Sequence, residues 1–159
     1  MTTATLTSTK ELQQRLDFFE QECRRRGLRV TEQRREIFKT VASSHSHPSA
    51  EDVFAVVREK MSNVSLDTVY RTLASLADME LILRVGTAYK ERFDGDLRPH
   101  AHFICSDCGE VYDIFYNLDH MMLPLQEAFS CGDVRQINLQ YKGLCKQCQE
   151  KRKSGTVSF

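Results

Sequence analysis

The sequence predicts an α+β fold in two parts: a helical N-terminal domain closed by a hairpin, and a small α/β C-terminal domain. Three observations carry this. Apolar residues recur at helical spacing through most of residues 1–93, whereas residues 100–159 hold short strand-like runs around one helix. Four cysteines fall into two Cys-x-x-Cys pairs, Cys105/Cys108 and Cys145/Cys148, both in the second part. At 159 residues the chain suits two small domains, each near the size where an apolar core alone is marginal. The change of pattern places a hinge at residues 94–99.

The elements follow in order. Leu12, Leu16, Phe19 and Cys23 lie on one face of a helix over about residues 10–26, ended by Gly27. Thr31 opens a second helix with Ile37, Phe38 and Val41 inward, and Ser49 caps a third that buries Val53, Phe54 and Val57. Ser65 caps a fourth, with Asp67 at the positive end of its dipole and Val69, Leu73 and Leu76 inside. Residues 81–85 and 88–93 read as strands around a Gly86-Thr87 turn. Helices followed by such a hairpin are the order of a winged helix-turn-helix. Further on, strands are expected near 101–105, 110–115 and 134–142. A helix over 118–130 carries the apolar stripe Leu118, Met121, Met122, Leu125 and Phe129, for a dimer interface or for the core of its own domain. Residues 151–155 read as a frayed tail.

Composition narrows the class. With 41% apolar and 28% charged residues, no run nears the roughly 18 apolar residues of a membrane span. The N-terminus lacks the basic and apolar regions of a signal peptide, so a cytoplasmic protein with no membrane partner is expected. In that reducing compartment cysteine pairs suit metal better than disulfides, and Cys23 and Cys131 read as buried small hydrophobes. The net charge is zero but uneven: from Arg24 to Lys39, seven basic residues face only Glu32 and Glu36, a local +5. That basic footprint marks the first domain as the one to meet a polyanion.

The two Cys-x-x-Cys pairs suit tetrahedral zinc, because each turn directs two thiolates at one metal. A redox dithiol needs only one such pair in a thioredoxin-like context, which is lacking. Beside the thiolates, His100 and His102 stand two apart and share one face of a strand. Alternating histidines alone also read as solvated surface, but Asp94, Asp113 and His47 give them company. Nitrogen and oxygen donors without thiolate suit iron(II), manganese(II) or zinc. A site joining His47 to ligands of the second domain would couple metal to the angle between domains. On the fourth helix, Thr68, Tyr70 and Arg71 are candidates for reading DNA bases or touching phosphates, with Arg24, Arg25, Arg26 and Arg29 neutralising the backbone.

These motifs resemble the ferric uptake regulator (Fur) superfamily, from about Leu12 to Cys148. The resemblance rests on Gly27-Leu28-Arg29-Val30-Thr31 with Gln33-Arg34, then His47-Pro48-Ser49-Ala50, Thr68-Val69-Tyr70-Arg71-Thr72-Leu73, and His100-Ala101-His102-Phe103-Ile104-Cys105. It implies a homodimeric, non-enzymatic repressor of double-stranded operator DNA. It also implies structural Zn2+ on Cys105, Cys108, Cys145 and Cys148, and regulatory Fe2+ or Mn2+ on His47, Asp94, His100, His102 and Asp113. Iron-sensing members typically carry glutamate where Asp94 and Asp113 stand, and their further site uses residues that are Pro99 and Ala101 here. Aspartates at both positions resemble the peroxide-sensing (PerR-like) branch. There hydrogen peroxide is the only small-molecule substrate, and the residues matching His47 and His100 are oxidised. An iron or zinc uptake regulator using metal as corepressor is the alternative. A zinc-containing thiol peroxidase would need Cys23 or Cys131 as nucleophile, and neither sits in a motif.

Overall fold

The structure, a computed structural model, describes residues 8–87, 90–116, 125–134 and 137–155, with the backbone alone of Leu125 and Gln126. The chain divides into two compact units, Met1–Leu97 and Arg98–Phe159. Among the described residues no helix is long and apolar enough to cross a membrane.

The first unit opens with α1 (Thr9–Arg25), α2 (Glu32–Ala42), α3 (Ala50–Lys60) and α4 (Leu66–Asp78). Each starts where a hydroxyl can accept an unpaired N–H of the first turn: Ser8 from Glu11, Thr31 from Arg34, Ser49 from Asp52 and Ser65 from Thr68. α1 ends in a Schellman motif, with Leu28 N donating to Cys23 O at 2.8 Å and Gly27 N to Arg24 O at 3.1 Å. The inward faces are those expected, except that Leu12 and Phe54 are only partly buried against the core. Phe19 stacks on Phe38 with ring centroids 4.4 Å apart, and Ile37, Val41, Val53, Val57, Val69, Leu73 and Leu76 close the core around them. Cys23 lies fully buried in it, a small hydrophobe as expected.

The hairpin is β1 (Leu83–Thr87) against β2 (Lys90–Asp94). Its turn is not where the sequence placed it: Gly86 and Thr87 belong to β1, Thr87 pairs with Lys90, and residues 88–89 lie outside the described residues. Gly86 serves the strand instead. At φ +100° a Cβ there would come within 2.3 Å of Lys90 O, so only glycine lets the two backbones approach.

The second unit holds β3 (Ala101–Cys105), β4 (Val111–Ile114), α5 (Leu125–Cys131), β5 (Leu139–Gly143) and α6 (Lys146–Lys153). Its sheet has the order β4-β3-β5, with β3 antiparallel to β4 and parallel to β5. β5 begins later than expected, at Leu139. Of the apolar stripe, Leu118, Met121 and Met122 lie outside the described residues, as does the Leu125 side chain, while Phe129 is exposed.

Two expectations are corrected. Cys131 is exposed, its thiol donating to Glu127 O at 3.3 Å. The supposed tail is the last turn of α6, and Lys151, Arg152 and Lys153 sit where basic side chains complement the helix dipole. The sequence hid this helix because it has no apolar stripe. Its one buried residue is Cys148, and its N-cap is Cys145, whose sulfur accepts from Cys148 N.

The α3 cap gives a measurable stability term. Ser49 N and Oγ donate to Asp52 Oδ2 at 2.9 and 2.8 Å, and Asp52 N returns to Ser49 Oγ at 3.1 Å. The Ser49 backbone N–H, then its hydroxyl, hold the Asp52 carboxyl below its usual range. A lowered folded pKa gives stability that is full above the unfolded value near 3.9 and is lost as pH falls through the folded value. Asp52→Ala is expected to cost about 1 kcal/mol in urea unfolding at pH 7, with the difference from wild type shrinking below about pH 4.

Candidate metal centres

Cys105 ends β3, Cys108 lies in the turn to β4, and Cys145 and Cys148 begin α6. The parallel β3–β5 pairing, with Cys105 opposite Gly143, brings the distant pairs together. All four sulfurs lie within 4.8 Å of one another, Cys108 and Cys145 at 3.9 Å. Sulfurs about 2.3 Å from a tetrahedral zinc stand about 3.8 Å apart, so the cluster fits structural zinc.

Burial pushes the Cys105 thiol up, but N–H groups of Cys145, Cys108 and Asp107 donating to its sulfur outweigh this and bring it down to about 6. The Cys145 N–H lies 3.3 Å from that sulfur. Cys108 is raised, chiefly by burial, and Cys148 is raised first by its hydrogen bond to Asp107 and then by burial. Asp107 also accepts from Arg152 Nη2 at 3.2 Å, tying α6 to the first Cys-x-x-Cys turn. A metal taken up here displaces protons from the raised thiols, so affinity falls with falling pH.

The second unit carries three further donors. His102 pairs across the sheet with Asp113, and His100 stands two residues before it on the same face. His100 Nε2 lies 3.0 Å from His102 Nε2, and Asp113 Oδ1 is 3.5 and 3.6 Å from those two nitrogens. His100 Nδ1 lies 2.7 Å from the Arg98 carbonyl oxygen. Donation there leaves the Nε2 lone pair facing the cluster, the outer support that metal-binding histidines use. Both rings are buried.

The first unit carries two. His47 and Asp94 are buried, with ligand atoms within 4.8 Å of each other. His47 has a left-handed backbone, φ +49°, a conformation that costs of order 1–3 kcal/mol. Strand β2 holds it there: Arg92 Nη1 donates to His47 O at 3.1 Å and Phe93 N to Pro48 O at 3.0 Å. Asp94 Oδ1 accepts from Asp96 N at 2.8 Å.

The DNA-directed candidates are also placed. On α4, Tyr70 and Arg71 are exposed and Thr68 is half-buried, its hydroxyl 2.8 Å from Ser65 Oγ. Tyr70 donates to Glu51, and Arg71 pairs with Asp67 at 2.8 Å. The basic footprint is weaker than its local +5. Arg24 and Arg35 share Glu20, and Arg25 and Arg26 share Glu22. Both glutamates lie just outside the counted window, and their pairs with Arg24, Arg25 and Arg26 fall at helical i,i+3 and i,i+4 spacings that the sequence does carry, whereas Arg35 reaches Glu20 from another helix. The Arg98 carbonyl and the Asp107–Arg152 pair had no such signal.

A family model described as the Ferric uptake regulator family matches residues 25–129. The chain belongs to the ferric uptake regulator family. As a member it is a metal-responsive regulator. The peroxide-responsive repressor PerR of Staphylococcus epidermidis is 32% identical over 130 residues, which is 80% of this chain and 86% of that protein. The ferric uptake regulator of Helicobacter pylori superposes with a TM-score of 0.69 over 91% of this chain and 97% of its own; at 24% identity that likeness shows the fold. A zinc uptake regulator in complex with zinc and DNA superposes with a TM-score of 0.60 at 25% identity, over 92% of this chain and 99% of its own. These relatives are named as a repressor and as uptake regulators, none as an enzyme.

For this family member the thiolate cluster yields a direct test. Cys145→Ser removes one of the four thiolates while its hydroxyl can still cap α6. It is expected to lose one zinc per chain by metal analysis and to lower the melting temperature of the second unit.

Proposed function

We propose that the chain is a dimeric, metal-dependent repressor of operator DNA that senses hydrogen peroxide through iron(II). The observation that carries the reading is the donor set: three buried imidazoles, the buried Asp94 and the half-buried Asp113, with no thiolate, in two half-sites. His47 and Asp94 form one, and His100, His102 and Asp113 form the other. The aspartates at 94 and 113 match the peroxide-sensing pattern, and the 32% identical PerR supports it.

In this reading residues 1–93 bind DNA, 94–99 form the hinge and 100–159 dimerise. One ion taken up by these five residues would couple metal binding to DNA binding. Iron(II) held there supplies the cleavage of peroxide. The chain's part is to bring His47 and His100 close to that chemistry. Each ring takes up one oxygen atom from peroxide, with water as the other product, and an oxidised imidazole is a poorer donor. The metal then leaves, and the repressor releases its operator. Manganese(II) on the same ligands supports DNA binding and resists oxidation.

Thr68, Tyr70 and Arg71 would enter the major groove, with Arg24, Arg25, Arg26 and Arg29 on the phosphates. That a zinc uptake regulator of similar fold, covering 92% of this chain, is found in complex with DNA supports DNA binding by this chain. It also favours a second reading, an iron or zinc uptake regulator in which the metal itself is the signal.

The deciding experiment uses operator DNA selected from random sequence by the manganese-loaded protein. After dilute peroxide the iron-loaded form is expected to release this DNA and to gain oxygen on His47 and His100 by mass spectrometry. The manganese form does neither. An iron form that keeps its DNA and gains no oxygen is an uptake regulator. Replacing Cys23 and Cys131 with serine leaves the peroxide response unchanged, whereas response through either thiol would revive the peroxidase alternative. Arg71→Ala is expected to weaken operator binding and, if Arg71 touches phosphate, to reduce the salt slope by about 1.

A further inference from the structure

Arg15 of α1 lies upstream of residues 25–129, the span that the family shares, yet it is tied to the segment that carries Asp94. Its Nη1 donates to the carbonyl oxygens of Ala42 at 3.0 Å and Gly95 at 3.4 Å. Its Nη2 donates to Glu11 Oε1 at 3.0 Å and Asp96 Oδ2 at 2.9 Å. The guanidinium thus bridges the end of α2, its own helix and both residues after Asp94. Asp96 is buried, its side chain 6% exposed against 14% for Arg15. A buried pair of this kind leaves an uncompensated charge if either partner is removed.

The backbone also packs directly on the end of α2. A Cβ on Gly95 would lie 2.6 Å from Ala42 Cα and 2.8 Å from Ala42 N, so the segment runs directly against α2. Held there, the Asp96 N–H reaches back 2.8 Å to Asp94 Oδ1 and orients that carboxylate. Supports of this kind tune metal affinity, because a ligand already in position loses less freedom on binding.

We propose that Arg15 is a positioning residue for the regulatory metal: by holding Gly95 and Asp96 against α2 it fixes the Asp94 carboxylate, so α1 sets the affinity of the site. This rests on the reading of Asp94 as a ligand. An arginine is suited to the task because one planar fork reaches carbonyl and carboxylate acceptors at once, which a lysine ammonium cannot match.

The test is manganese(II) affinity of the full-length, zinc-loaded protein, by competition with a chromophoric chelator. Wild type is compared with Asp94→Asn, Arg15→Met, Arg15→Lys, Asp96→Asn and the Arg15→Met/Asp96→Asn double variant. The melting temperature of the manganese-free form and the zinc content are measured alongside. Arg15→Met and Asp96→Asn are each expected to weaken manganese binding about 10-fold, with Arg15→Lys between them and wild type. The double variant binds no more weakly than the weaker single, since both break one clamp. Zinc content is unchanged. Asp96→Asn keeps side-chain shape and serves if Arg15→Met does not fold. If Asp94→Asn weakens binding while the Arg15 and Asp96 variants bind like wild type, whatever their melting temperatures, the clamp is only structural and the inference is overturned. If Asp94→Asn itself binds like wild type, Asp94 is no ligand, and the underlying reading fails instead.

Discussion

The second unit depends on one constraint: four sulfurs from two distant stretches of chain must lie within 4.8 Å of one another. The constraint acts through the backbone. Cys145 N donates to the Cys105 sulfur, Ser106 N donates to Gly143 O at 2.7 Å, and the parallel pairing of β5 with β3 runs on from there. Closing the cluster therefore sets the register of β5, and with it the flank of β3. His102 lies on β3 and His100 just before it, so the thiolate site steadies the strand that presents the imidazoles. Among the described residues the small unit buries few apolar side chains besides its cysteines, and a metal that contributes folding energy suits such a domain.

The two clusters make opposite demands on their surroundings. Thiolates are soft and easily oxidised, and here the sulfurs of Cys105, Cys108 and Cys145 are engaged by backbone N–H groups or by one another, and that of Cys148 by Asp107. The imidazole and carboxylate donors are harder and suit ions that exchange. Side-chain alternation on β3 lets both types lie close in sequence without sharing a site. His100 and His102 share a face, and Cys105 at the end of the strand turns into the loop.

Much of this was legible in the sequence, and the reasons are local. Thr31, Ser49 and Ser65 cap helices because a hydroxyl before an apolar-periodic run satisfies backbone donors wherever the rest of the chain goes. The Cys-x-x-Cys pairs declare a metal because few other chemistries want that spacing. What failed depended on partners. Gly86 looked like a turn residue, yet the need for it comes from Lys90 across the strand. Residues 151–153 looked like a tail because α6 is stabilised by the cluster at its start, not by a stripe along its length. Cys131 has no local feature that fixes its exposure. The Arg15–Asp96 pair joins residues 81 apart in sequence, and nothing in either neighbourhood announces the other.

On the proposed reading of His47 as a metal ligand, its left-handed backbone limits how this family member could change that metal. Asparagine, aspartate and histidine tolerate that conformation better than other side chains that bear donor atoms. A drift toward a harder ion by way of aspartate is open at this position. A drift toward a softer one by way of cysteine must first overcome the strain of the turn. The repertoire of metals that can be reached from here is thus filtered by a dihedral angle before ligand chemistry has any say.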